Sequence, residues 1–325
     1  VKNYTVRRYE TNDFALWNAF VSSAKNATFL FHRDFMEYHQ DRFSDYSLLV
    51  FEDEKLVSVL PANKVATALY SHQGLTYGGF VFDAKMKLGK AITIVKTVLQ
   101  FLHENQIETF QLKLLPSIYH IAFSEETEYA LFLAKAQLIR RDCLSVINLA
   151  QPLSFSKDRK QALQRSTKKG LMVKEETNFD LFWKTVLIPN LDKKHNAKPV
   201  HTAEEITKLQ QLFPNNIRHF NVYHENKIVA GTTVFVTEKV AHSQYISGNE
   251  QKNELGSLDF LHHHLLTEIF QDKAYFDFGI SQEENGQKIN EGLLYWKESF
   301  GAKTTVQDFY EVTTANYSLL ENIML

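Results

Sequence analysis

The sequence predicts an α/β protein (α+β in its strand arrangement) built from two tandem, related domains. Three observations lead there. The chain has 325 residues, enough for two domains of the usual ~150 residues. Its two halves carry the same short patterns in the same order. In both halves, strand-like runs alternate with amphipathic helical runs, which requires mixed layers rather than a sandwich or a bundle.

In chain order, the first half opens with helical material at 13–24 and 31–43. Val50-Phe51-Glu52-Asp53-Glu54-Lys55-Leu56-Val57 then reads as strand, polar turn and strand, a hairpin pattern. After a third strand, Leu88-Gly89 opens a helix whose apolar residues Leu88, Ala91, Val95, Val98 and Leu102 share one face. His103-Glu104-Asn105-Gln106 ends that helix, and a strand follows at 107–115. A strand at 143–149 closes the half. Pro152 breaks regular structure, so the expected domains are 1–152 and 153–325.

The second half begins with a basic helix at 156–169, stopped by Gly170. More helix follows at 179–190 and 202–213. Val222-Tyr223-His224-Glu225-Asn226-Lys227-Ile228-Val229 then matches the hairpin at 50–57. Leu255-Gly256 opens a counterpart of the first long helix, with Leu258, Leu261, Leu265 and Ile269 on its face. A polar cluster, Gln271-Asp272-Lys273, leads from it into a strand at 274–279.

Composition narrows the function classes. Hydrophobic residues make up 44% and charged residues 23%, and 25 Phe with 14 Tyr supply a large core. The formal net charge of −2 argues against a chain that binds nucleic acid through its overall field. Cys143 is the only cysteine, so no intrachain disulfide is possible. The first residues carry no apolar signal segment, and no apolar run is long enough to span a bilayer. The expected location is cytoplasmic, without membrane insertion.

Hairpin, strand, helix and strand make up the core of the GNAT acyltransferase fold, and a tandem pair resembles the FemAB-like aminoacyltransferases and related duplicated GNAT proteins. The motifs that carry the resemblance lie at 150–310. Tyr275-Phe276-Asp277-Phe278-Gly279, Gly286, Gly292-Leu293 and Lys297-Glu298-Ser299-Phe300-Gly301-Ala302 look like the superfamily's closing segment. The basic helix at 157–170 resembles the one that opens its second domain. The resemblance implies a tandem GNAT-like fold with mixed, mostly antiparallel sheets. It also implies acyl-CoA or aminoacyl-tRNA as co-substrate with no permanently bound cofactor, and an amine or nucleotide-sugar acceptor such as a cell-wall (peptidoglycan) or sugar precursor. Two departures stand out. Asn253-Glu254-Leu255-Gly256-Ser257-Leu258 replaces the usual coenzyme-A loop, with only Gly256 matching and Glu254 opposing phosphate, and no long coiled-coil arm is present.

Acyl transfer to an amine needs an acceptor for the amine's proton and donors facing the developing oxyanion. The candidate catalytic residues are Lys297, Asp277 and Tyr245. The Lys297 ammonium either stabilises charge on the donor or is a solvated helix lysine beside Glu298. Asp277, facing opposite to Phe276 and Phe278, either accepts a proton or binds backbone donors at the turn before Gly279. Tyr245 either orients a substrate or is a half-buried strand residue. Ser247 on the same face, His242 nearer the strand's start, and Arg159, Arg165 and Lys169 on the basic helix are candidate substrate contacts. Lys160 and Lys168 extend that charge, which is otherwise a solvated face. Gly256 and Ser257 are the candidate coenzyme contacts.

Other chemistry is set aside. Three consecutive helical histidines, His262-His263-His264, point about 100° apart and do not converge on a metal. His195 and His201 sit in a polar insertion within reach of a cleft. Cys143 reads as a core residue. Asp277-Phe278-Gly279 spells a kinase tripeptide without its companion loops, and no Gly-x-Ser-x-Gly elbow occurs. The expected function is N-acyl or aminoacyl transfer. The alternatives are a non-catalytic ligand- or protein-binding relative of the same scaffold and, less in keeping with the composition, a nucleic-acid-binding module.

Overall fold

The computed structural model describes residues 2–195 and 198–323. Its contacts divide the chain into two compact units, Val1–Asp142 with Val306–Leu325, and Cys143–Thr305.

In the first unit, β1 (Tyr4–Arg8) leads to α1 (Phe14–Ser22) and α2 (Arg33–Met36). The helix expected at 31–43 is present only as α2 flanked by 3-10 turns. Phe29, Leu30, Phe31, Phe35 and Met36 are all buried, so no single stripe exists for a longer helix to present. β2 (Leu48–Glu52) and β3 (Lys55–Leu60) form the expected hairpin. Three short strands, β4 (Asn63–Val65), β5 (Ala68–Tyr70) and β6 (Val81–Phe82), occupy the stretch read as one third strand. α3 (Leu88–Glu104), β7 (Thr109–Lys113) and α4 (Glu126–Leu133) follow. Ala91, Val95, Val98 and Leu102 of α3 are buried against Leu48, Val50, Phe82 and Phe110, whereas Leu88, in the first turn, is exposed.

β8 (Gln137–Asn148) is one continuous strand where 143–149 was expected, and the division between the units passes through it. In the second unit, Ser156 caps α5 (Lys157–Ser166), accepting from the Arg159 amide at 3.2 Å. Gly170, at φ 66°, ends its last 3-10 turn as expected. β9 (Met172–Glu176) and α6 (Asp180–Phe182) come next. A π turn at Trp183–Leu187, α7 (Ile188–His195) and α8 (Ala203–Leu212) complete the helical layer. The sheet continues with β10 (Ile217–His224), β11 (Lys227–Val236) and β12 (Val240–Gly248). After α9 (Lys252–Leu255), α10 (Ser257–His264) runs into a π turn at Leu265–Ile269 and then β13 (Tyr275–Ile280). A small ribbon of β14 (Gln282–Glu283) and β15 (Lys288–Ile289), then α11 (Glu291–Glu298) and β16 (Lys303–Thr313), end the regular structure. Leu261, Leu265 and Leu266 pack on Phe220, Val229, Phe276 and Phe278 to form this unit's core.

The two units share much of their strand pairing, but the first divides its strands between two sheets, β1, β2, β3 and β6 in one and β4, β5, β7 and β16 in the other, where the second keeps one run. In the second, β9, β10, β11, β12, β13 and β8 lie side by side, with only β12 and β13 parallel. In the first, β1, β2 and β3 are antiparallel like β9 to β11, and β5 pairs parallel with β7 as β12 does with β13. The paired hairpins even share an irregularity: the register slips between Val50 and Phe51 and between Val222 and Tyr223, the same place in each repeat. Their turns use positive φ at Asp53 and at Glu225 and Asn226, which the tight reversal requires. The sixth place is exchanged. β16 pairs with β7 of the first unit, and β8, which follows the first unit's helices, pairs with β13 of the second. Among the described residues, no helix is long and apolar enough to cross a membrane.

Candidate active site

In the second unit, β12 and β13 run together for three residue pairs only: Val240 with Tyr275, Ala241 with Phe276, and His242 with Asp277. No further pair joins them among the described residues, although β12 continues to Gly248. The reason lies in β13. Gly279 takes φ +71°, a conformation other residues adopt at a cost, and the pairing with β8 skips from Asp277–Val146 to Ile280–Leu144. The strand bends away and the sheet opens as a fork with His242 and Asp277 at its apex.

Side chains hold the bend. Asp277 Oδ1 accepts from the Gly279 amide at 2.7 Å. The Lys297 ammonium, brought in by α11, donates to the Gly279 carbonyl at 3.1 Å, within the bulge, and to the Ile280 carbonyl, where pairing with β8 resumes. Lys297 is 2% exposed, and burial pulls its pKa down to about 8, opposed by the nearby Asp277 charge. Asp277, 1% exposed, places its second oxygen 3.0 Å from His242 Nδ1. Three residues chosen from the sequence, His242, Asp277 and Lys297, therefore meet at the apex. Each arm beyond it carries a buried polar atom that lacks a partner, Gln244 Oε1 on β12 and Ser281 Oγ just past β13. Such atoms mark places that a ligand or ordered water completes. Nothing in the sequence pattern distinguished these two.

The remaining candidates lie elsewhere. Tyr245 is buried, its hydroxyl bonded to the His201 amide at 3.1 Å and to His201 Nδ1 at 2.6 Å, with its ring edge-on to Trp183. Ser247 accepts from Asn190 Nδ2 at 3.0 Å. These two pin the helical layer to β12. Arg159 is buried in a pair with Asp259, bonds Ser299 Oγ at 3.0 Å and lies over the Phe300 ring, so it fastens α5 to the core. Arg165 and Lys169, with Lys160 and Lys168, are exposed. Gly256 sits at φ +63° with α5 packed over it, a Cβ there standing 3.2 Å from Ser166 Cβ, and Ser257 is fully buried. The three histidines go separate ways. His262 is enclosed by Phe278, Trp296 and Phe300, His263 lies beside Phe155, and His264 reaches Glu268. Cys143 is half-buried rather than a core residue, because it sits on β8 facing the ribbon, its amide donating to Gln282. The side chain of His195 lies outside the described residues.

Gly279→Ala tests the bend. A Cβ there would meet His242 Cε1 at 3.3 Å in a left-handed backbone, and the expected cost is about 1–2 kcal/mol. Urea unfolding measures it; a variant as stable as the parent would contradict a glycine-dependent fork.

No protein-family model matches the sequence, and no curated protein sequence matches it significantly. Solved structures do. FemX superposes with a TM-score of 0.67 at 9% identity, over 98% of this chain and 99% of FemX. L-PGS from Bacillus licheniformis gives 0.62 at 12% identity, over 97% and 96%. A tandem GNAT protein from the clavulanic acid biosynthesis pathway gives 0.52 at 12% identity, over 96% and 99%. The chain has the FemAB-like tandem GNAT fold. At such identities the likeness speaks for architecture alone.

Proposed function

We propose that the chain is an N-acyltransferase of the aminoacyl type, moving an aminoacyl group from aminoacyl-tRNA onto an amine carried by a small molecule such as a cell-wall or nucleotide-sugar precursor. The fork carries this reading. Past His242, β12 stays paired with β11, but its edge toward β13 has no strand partner among the described residues, a ready template for the amide-like groups of a donor. Gln244 Oε1 and Ser281 Oγ, both unsatisfied, add side-chain capacity beside it. FemX and L-PGS share the architecture in which this reading places its site.

Two observations favour aminoacyl-tRNA over acyl-CoA. The turn that would grip a coenzyme diphosphate, at Gly256 and Ser257, is filled by Ser166 and the Ala162 carbonyl of α5, and Glu254 stands beside it. Conversely, Lys157, Lys160, Arg165, Lys168 and Lys169 on α5 and its last turn are exposed, and none is in an ion pair among the described residues. Five free cations in so short a stretch suit a polyphosphate backbone. The rival reading, a binding protein without catalysis, draws on the fact that Tyr245, Ser247 and Lys297 are all bonded within the protein.

Purified protein incubated with radiolabelled aminoacyl-tRNAs or acetyl-CoA, and with a panel of amine acceptors, distinguishes these. Transfer is expected from aminoacyl-tRNA, weakening as salt rises. Transfer from acetyl-CoA alone would overturn the donor assignment. Thermal stabilisation by a ligand without turnover from either donor would favour the binding protein.

A further inference from the structure

We infer that His242 is the proton acceptor for the attacking amine and that Asp277 is its positioning residue; this rests on the transfer reading above. Asp277 is the less suitable base. Its carboxylate is buried, with one oxygen on the Gly279 amide and the other on His242 Nδ1. An imidazole whose Nδ1–H donates to a buried carboxylate presents Nε2 as a bare acceptor. The His242 side chain is 12% exposed, and among the described residues Nε2 has no hydrogen-bond partner. Geometry directs that nitrogen outward. The ring lies with Nδ1 toward Asp277 and Cε1 against Gly279, where a side chain would stand 3.3 Å away, so its inner edge is fixed by β13. His242 is also the last residue of β12 paired with β13, which puts it where the two strands part.

The groups around the ring set its charge balance. Asp277 faces it from β13, and Lys297 from α11 acts on Asp277 and has its own charge turned toward the Gly279 and Ile280 carbonyls. Across the sheet, β11 presents Phe235 opposite His242. A single carboxylate thus faces the imidazole, and that charge stabilises the imidazolium formed during transfer.

The step balances as follows. The neutral amine nitrogen attacks the acyl carbonyl carbon of the aminoacyl ester, forming the C–N bond, and its surplus proton passes to His242 Nε2. As the tetrahedral species collapses, the C–O bond to the ribose breaks and the imidazolium returns the proton to the leaving oxygen. Amide and free tRNA hydroxyl leave, and the histidine is regenerated neutral.

The experiment has two independent readouts. In the transfer assay, His242→Ala is expected to lower kcat at least ~100-fold, and Asp277→Asn about 10-fold or more, with both KM values changed less than about 3-fold. Added imidazole should restore part of the rate of His242→Ala. Nitrogen NMR of the ring at neutral pH should show Nδ1 protonated and Nε2 bare in the parent protein, with a mixture of tautomers in Asp277→Asn. Parent-level kcat in His242→Ala overturns the base assignment while leaving transfer intact. The opposite tautomer overturns the positioning role of Asp277. A parent protein inactive with every donor removes the transfer reading and the base with it, and the NMR result then still decides whether Asp277 orients the ring.

Discussion

Lys297→Met is expected to lower the stability of the second unit by about 1.5 kcal/mol, a fall of roughly 3–6 °C in Tm for a unit of this size. Two effects oppose each other. Burial draws the Lys297 pKa down to about 8, so methionine recovers a desolvation cost of ~3 kcal/mol. Against that, the Gly279 and Ile280 carbonyls lose their charged donor, at roughly 1.5–3 kcal/mol each. The losses exceed the gain. Scanning calorimetry with a parallel transfer assay separates structure from chemistry: a variant that keeps its Tm but loses transfer would assign the ammonium to the substrate instead of to the bend.

Acid is expected to unfold the protein steeply between pH 6.5 and 4. His219 and His262 are held neutral by burial, with pKa values pulled down to about 4, and His72 in the first unit is pulled to about 3. The unfolded chain takes up a proton at each near pH 6.5. The folded chain does so only near its depressed value, so stability is complete above pH 6.5 and declines as the pH falls toward 4. A depression of the size seen for His262 contributes on the order of 3 kcal/mol by linkage, and His219 and His262 together take a large share of the stability of the second unit. His262 offers the cleanest test. Its Nδ1 bonds the Leu258 carbonyl at 2.8 Å, but Nε2 is buried without a partner among Phe278, Trp296 and Phe300. His262→Phe should therefore shift the acid midpoint downward without loss of stability at pH 8. An unchanged midpoint would sink the linkage argument for this residue.

Local physics was legible from the chain. The hairpins at β2–β3 and β10–β11, the stop at Gly170 and the buried face of α3 follow from alternation, turn residues and helical spacing. Of the two readings the sequence left open for Asp277, the bond to the turn at Gly279 is present in the structure. What pattern does not encode is where a strand finds its partner. β8 and β16 look like ordinary closing strands, yet each pairs with the repeat that a linear reading does not assign to it. The bonds of Tyr245 to His201 and of Arg159 to Asp259 depend on segments far apart in sequence, so residues that read as substrate contacts prove to be fastened within the protein. Gly256 matched its motif in identity, but only the packed α5 reveals that the turn is covered.

The exchanged sixth strands bear on biosynthesis. A ribosome delivers β7 long before it delivers β16, so the N-terminal sheet waits with an unpaired margin while the whole second repeat emerges and folds. During that interval β7 is a sticky edge exposed to chaperones and to neighbouring nascent chains. Maturation of the earlier half is thus timed by a strand made only after the second repeat.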